Sequence, residues 1–221
     1  MLIKERKIWT PDNSFLLKYR EEIESGKIIA GWELRQELTN LKEDFSNDEY
    51  FYNTDAALLR MDFMENCVKL TKSPFYGQPM VLMLWQKAFI EAVYSFKMSE
   101  ESLERGMMID RFKKILLLIA RKNTKSETCS AIAVTELFVG NEGADIVCSS
   151  NDDNQASITY DAIDTMRQLI DPRDLDSKKN QRFIRNKSTN SKVFKLSDRT
   201  KNKEGRNIDF AIVDETHEMK T

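Results

Sequence analysis

Lys114-Ile115-Leu116-Leu117-Leu118-Ile119-Ala120-Arg121-Lys122-Asn123-Thr124-Lys125-Ser126 is the segment from which the rest of the chain is read. An apolar run, too short to cross a membrane, ends at a polar, basic turn. Helix-forming residues follow from Ser126 to Phe138. This is the strand, loop and helix order of a phosphate-binding loop, where backbone N–H groups and a helix N-terminus face an anion and a lysine adds a point charge. Lys125-Ser126 fits the last two positions of G-x-x-x-x-G-K-[ST], whereas Ile119 and Thr124 stand where its glycines belong. Basic turns after buried strands are common, so this pattern alone is weak.

A second segment supports it. Ile208-Asp209-Phe210-Ala211-Ile212-Val213-Asp214-Glu215 reads as an apolar strand ending in two carboxylates. In P-loop NTPases the first such acid holds Mg²⁺ and the second polarises the attacking water. Adjacent carboxylates at a strand end are costly unless a cation or donors face them. A Lys-Ser loop and a strand-end Asp-Glu, about 90 residues apart in the sequence, are far more specific together than either alone.

The chain has 221 residues, enough for one sizeable core or a domain with an appendage. Apolar residues make up 41% and charged residues 32%, which excludes a disordered composition. A net charge of −2 leaves any basic surface local. Cys67, Cys129 and Cys148 are widely spaced and odd in number, which argues for reduced thiols rather than a disulfide framework. A single histidine, His217, excludes a multi-histidine metal site. With no signal-peptide core and no spanning run, the expectation is a soluble, intracellular protein.

Residues 1–72 read as a helical region. Asp12-Asn13-Ser14 caps a helix from Phe15, and Gly26 stops it. Ile28–Phe45 continues at helical spacing, and Thr54–Leu70 forms a third helix with Leu58, Leu59, Met61, Phe63, Met64 and Val68 expected on its buried side. Tyr50-Phe51-Tyr52 reads as a packing anchor. The turn-rich Ser73–Pro79 marks the internal boundary, so 73–221 is expected to form the second domain. A helix from Leu82 to Phe96 carries Gln86, which reads either as a surface residue at a helix start or as an amide turned to the edge of an adenine. Beyond Arg111, strands (Lys114–Ala120, Ala144–Ser149, Phe183-Ile184, Val193–Leu196, Ile208–Val213) alternate with helices, the last helix from Asn154 to Ile170. That order predicts a mostly parallel sheet flanked by helices, with ligands at the carboxyl ends of its strands. From Arg173 to Arg206 twelve lysines and arginines face four acids, a solvated face or a phosphate-facing one.

With these residues in view, the chain resembles the N-terminal part of a tailed-phage (prophage) terminase large subunit. Tyr19–Gly31 is similar to that family's opening helix, and Trp85-Gln86 to its adenine-sensing glutamine. Arg121-Lys122-Asn123-Thr124-Lys125-Ser126 resembles its variant Walker A loop, R-K-N-G-K-S. Ser149–Ala156 resembles the segment after the second strand, and Asn207–Glu218 its Walker B strand and tail. The resemblance implies an α/β P-loop NTPase fold of the RecA/ASCE kind, preceded by an N-terminal helical region. It implies an ATP hydrolase that powers packaging of double-stranded DNA into proheads, with ATP and Mg²⁺ as cofactors. A small terminase subunit, a portal protein and a homo-oligomeric ring are the implied partners, and the cytoplasm of the bacterial host is the implied location.

By the same resemblance Lys125 contacts the β- and γ-phosphates, Arg121 stabilises or senses the transferring phosphoryl group, and Glu215 orients water. Ser126 with Asp214 organises Mg²⁺, Gln86 reads adenine, and Lys122, Asn123 and Thr124 complete the nucleotide loop. Arg199, Lys203 and Arg206 lie upstream of the Walker B strand, where the resemblance would place a finger reaching a neighbouring subunit, and the choice among them stays open. Two departures stand out. Thr124 replaces a glycine, and a β-branched side chain disfavours positive φ. The chain also ends at Thr221, before the coupling motif, remaining strands and nuclease domain of the family, so a fragment or an interrupted prophage gene is expected. Two alternatives stay open: a non-hydrolysing docking or DNA-contacting piece, and a helicase-like ATPase, since Asp214-Glu215-Thr216-His217 also spells a helicase box.

Overall fold

The computed structural model describes residues 8–120, 122–150, 153–196 and 207–214. They fall into two compact units, one built from residues up to Met61 together with Leu82–Leu118, the other from Asp62–Val81 together with residues from Ile119 onward.

In the first unit α1 (Phe15–Glu24) starts where Ser14 leaves the extended region and its side chain accepts the Leu17 N–H. Gly26, at φ +79, takes the chain out of the helix. α2 (Trp32–Asp44) and β1 (Tyr50–Tyr52) follow. α3 (Asp55–Cys67) belongs to this unit as far as Met61 and to the second unit from Asp62. α4 (Leu84–Ser95), β2 (Phe96–Met98) and α5 (Ser99–Arg105) complete the unit's elements. β1 and β2 form an antiparallel ribbon. Leu16, Ile23, Leu38, Leu41 and Phe96 make the core. Phe96 meets Tyr52 and Phe45 with ring centroids 4.7 and 5.3 Å apart, so the Tyr50-Phe51-Tyr52 segment does anchor packing. Beneath it the buried Glu91 carboxylate accepts from the Ser14 hydroxyl, from the Phe15 N–H at 2.8 Å and from the Tyr52 hydroxyl at 2.6 Å. Burial, then the charge of Glu91, raises the Tyr52 phenol above its ordinary value.

In the second unit α6 (Lys125–Val139), β3 (Asp145–Ser150) and α7 (Asp153–Ile170) precede β4 (Ser177–Lys179), β5 (Phe183–Asn186), β6 (Lys192–Leu196) and β7 (Ile208–Asp214). The sheet order is β4-β5-β6-β3-β7. β3 is parallel to both β6 and β7, while β4, β5 and β6 form an antiparallel meander. The sheet is therefore parallel at its centre and mixed at one side. α6 is buried nearly all round, from Thr128 to Leu137, against the sheet and α7. Arg167, buried on α7, bonds Asp164 at 2.9 Å and Asp174 at 2.6 Å. Burial alone would raise the Asp171 carboxyl, but the N–H groups of Leu175, Asp176 and Ser177 hold it below its usual value.

Two expectations are corrected. Lys114–Ala120 forms no strand: it makes no ladder among the described residues, and Leu116 and Leu118 are 79% and 88% exposed. Apolar composition fits a buried strand but does not supply the neighbouring strand that a ladder requires. Leu58 and Leu59 are exposed, because the buried stripe of α3 runs through Ala57, Met61, Met64 and continues to Val68. The short β1, β2, α5 and β4 are not expected from the sequence, and β1 interrupts the region read as helical.

Glu91→Ala strands one buried and two part-buried donors and is expected to destabilise the protein by about 3 kcal/mol. A denaturant midpoint unchanged from wild type would refute that weight for the network.

Candidate functional site

The site is built where the carboxyl ends of β3 and β7 meet the N-terminus of α6. The parallel register sets Ser150 opposite Asp214. The Ser150 hydroxyl donates to the Asp214 carbonyl at 3.2 Å, which pins the end of β7. Lys125 is the first residue of α6. A cation there is unfavourable because the helix dipole is positive at that end, so the ammonium needs an anion. It finds one: Lys125 Nζ lies 2.9 Å from Asp214 Oδ1, the two side chains being 31% and 17% exposed.

The loop ahead of α6 turns through two left-handed residues, Lys122 at φ 67 and Thr124 at φ 58. Thr124 sits at the N-cap without capping through its side chain; its hydroxyl instead donates to the Asn123 carbonyl at 2.7 Å. The Thr124 carbonyl accepts the Thr128 N–H at 2.8 Å, so the helix begins normally despite the conformation. A β-branched residue with positive φ is strained by roughly 1–3 kcal/mol. The loop thus adopts at Thr124 the bend that a glycine makes freely.

Of the residues singled out in the sequence, Lys125, Ser126 and Asp214 are set around one end of the sheet, with Lys122, Asn123 and Thr124 leading into it. Ser126 and Asp214 offer the hydroxyl and carboxylate oxygens that a hard cation such as Mg²⁺ takes, and Lys125 the charge that phosphate takes. Arg121, Glu215, Arg199, Lys203, Arg206 and His217 lie outside the described residues. Gln86 lies in the first turn of α4, 3% exposed, and its Oε1 accepts the Met83 N–H at 2.8 Å. That bond caps α4, so recognition of a base edge has to coexist with it.

Sequence reasoning missed Ser150 and Cys129. Cys129 is one turn into α6, and its thiol is pushed up to about 11 by burial and by the charge of Asp214, with Lys125 opposing. Neither a lone serine nor a lone cysteine carries a sequence signal. The pairing of β3 with β7 brings Ser150 beside Asp214, and α6 carries Cys129 one turn beyond Lys125.

Residues 85–221 match the family model described as terminase large subunit, ATPase domain. The chain belongs to that terminase family. The family match and the packing units divide the chain differently: α4 falls within the terminase ATPase match, yet packs in the first unit. The fold is that of the HK97 bacteriophage large terminase, with 24% identity and a TM-score of 0.58 over 73% of this chain. The alignment covers 31% of the HK97 terminase, so the present chain spans about a third of that protein. No curated protein matches the chain.

Thr124→Gly removes the left-handed strain but adds freedom to the unfolded chain, and the two effects nearly offset. Its stability is expected to stay within about 1 kcal/mol of wild type or rise slightly. A clearly lowered urea midpoint would contradict the strain assigned to Thr124.

Proposed function

We propose that the chain binds Mg²⁺-ATP at this site and hydrolyses it, as the ATPase portion of a motor that packages double-stranded DNA into proheads. The observation that carries the reading is the contact between Lys125, which ends the basic loop, and Asp214, which ends the apolar strand. Two segments far apart in sequence thereby become one site at the strand ends, where α/β proteins hold phosphates.

In this reading the Lys125 ammonium leaves Asp214 for the β- and γ-phosphates when nucleotide enters. Ser126 and Asp214 hold Mg²⁺, whose charge neutralises that developing on the phosphates. Glu215 orients the attacking water, Arg121 stabilises the transferring phosphoryl group, and Gln86 reads adenine. Lys122, Asn123 and Thr124 present the loop backbone. Catalysis of this kind is positioning and electrostatics, so loss of one such group costs roughly 10²- to 10³-fold in rate. The ATPase core is assigned to 73–221 and the preceding helical region to 1–72. The partners proposed are a small terminase subunit, a portal protein and further copies in a ring, in the cytoplasm of the bacterial host. Among the described residues no helix is long and apolar enough to cross a membrane.

Calorimetric titration with Mg²⁺-ATP tests the reading. Wild type is expected to bind, Lys125→Ala to bind at least tenfold more weakly, and Glu215→Gln to bind without turnover. A folded wild type that takes up no nucleotide, while Thr124→Gly does, would leave the chain a docking or DNA-contacting piece instead.

A further inference from the structure

A glutamate at the third position of a helix ordinarily bends back and accepts the N-cap backbone N–H. Glu127 holds that position in α6, whose N-cap is Thr124. It does something else. Its Oε1 accepts from the Thr71 hydroxyl, and its Oε2 is buried with no hydrogen-bond partner among the described residues. A buried carboxylate oxygen without a partner is unfavourable. Thr71 is thus the residue whose hydroxyl holds the Glu127 carboxylate.

The Thr71 segment is built to do this. Leu70 N–H bonds the Gln78 carbonyl at 2.9 Å, Gly77 N–H the Leu70 carbonyl at 2.8 Å, and Met80 N–H the Val68 carbonyl at 3.0 Å. These bonds close the loop between Lys69 and Pro79, whose residues pair in an antiparallel bridge. Gly77 makes the return turn at φ +79. The hydroxyl of Thr71 is thus presented by a closed loop rather than a free arm.

A carboxylate and a phosphate compete for the same donors at a helix N-terminus, since both are anions drawn to N–H groups and to the positive end of the dipole. We infer that Thr71 is a positioning residue whose hydroxyl draws the Glu127 carboxylate away from the N-terminus of α6, keeping the chain's own anion out of the place where nucleotide phosphates bind. The inference rests on the nucleotide reading above and names the contact that keeps that site open.

The test is the affinity for Mg²⁺-ATP, by calorimetry, of wild type, Thr71→Val, Thr71→Ser, Glu127→Ala and the double variant Thr71→Val/Glu127→Ala. Thr71→Val frees the carboxylate to cap its own helix and is expected to weaken binding roughly threefold to thirtyfold, the factor a helix cap is worth. Thr71→Ser keeps the hydroxyl and is expected to bind as wild type. The double variant is expected to return to the affinity of Glu127→Ala, because no competing carboxylate remains; a merely structural Thr71 would leave it as weak as Thr71→Val. If Thr71→Val does not fold, Glu127→Asp supplies the same test: its shorter arm loses Thr71 but still caps, and weaker binding is expected. Wild-type affinity in both Thr71→Val and Glu127→Asp overturns the inference, as does a double variant that regains nothing. A readout without nucleotide separates this outcome from failure of the ATPase reading. The amide proton resonances of Thr124 and Lys125 are expected to move in Thr71→Val and to return in the double variant. Unmoved resonances overturn the inference even where wild type binds no ATP.

Discussion

The pairing of β3 on both edges is the constraint from which the site follows. A strand with parallel neighbours on each side cannot slip by one residue without turning its buried side chains to the wrong face. Ile146 and Cys148 are almost wholly inaccessible, as is the intervening Val147, which is what a strand covered on both faces requires. With β3 fixed, β7 is fixed in register, and Asp214 arrives beside Ser150 at the strand ends. α6, packed on the same sheet, brings Lys125 to that end. The Lys125–Asp214 contact is a consequence of this framework rather than its cause. A partly exposed pair of this kind contributes about 1 kcal/mol or less, whereas each fully buried aliphatic side chain contributes about 1.5–3 kcal/mol.

The weakness of that contact suits a binding site. Lys125 stands at the positive end of a helix and needs an anion, but the anion it holds is replaceable at small cost. The loop beside it is less accommodating. Thr124 keeps a left-handed conformation that its side chain opposes, and it does so because the helix behind it is anchored by burial from Thr128 to Leu137. Local strain is tolerated where tertiary packing over-determines the backbone.

Two buried polar networks elsewhere are each satisfied by several partners at once. Glu91 joins the start of α1 to β1 through three hydrogen bonds, and Arg167 with Asp171 ties the end of α7 to β4. Each network leaves little cost of desolvation uncompensated and fixes a relative placement that apolar contacts alone would not specify. Glu127 differs from these networks, with one oxygen bonded to Thr71 and the other buried without a hydrogen-bond partner among the described residues.

The amino-acid sequence alone determined the features set by neighbours along the chain. Ser14 and Gly26 bound the first helix because capping and positive φ are local properties. The alternation of apolar strands with helices announced the α/β sheet, and the basic loop and the apolar strand ending at Asp214 marked the two segments that meet at its strand ends. What lies between elements was decided by tertiary structure. The 3.6-residue period marked α3 as half-buried without saying which stripe, so Leu58 and Leu59 were misplaced. Lys114–Ala120 has the composition of a buried strand, yet a strand exists only where a neighbour completes its hydrogen bonds, and composition carries no neighbour. Gln86 is 3% exposed rather than a surface residue, because packing turns it inward with its oxygen on the Met83 N–H, a burial that its place at a helix start does not show. Ser150, Cys129 and the Thr71–Glu127 contact gave no sequence signal, because each depends on a partner dozens of residues away that only the folded chain brings near.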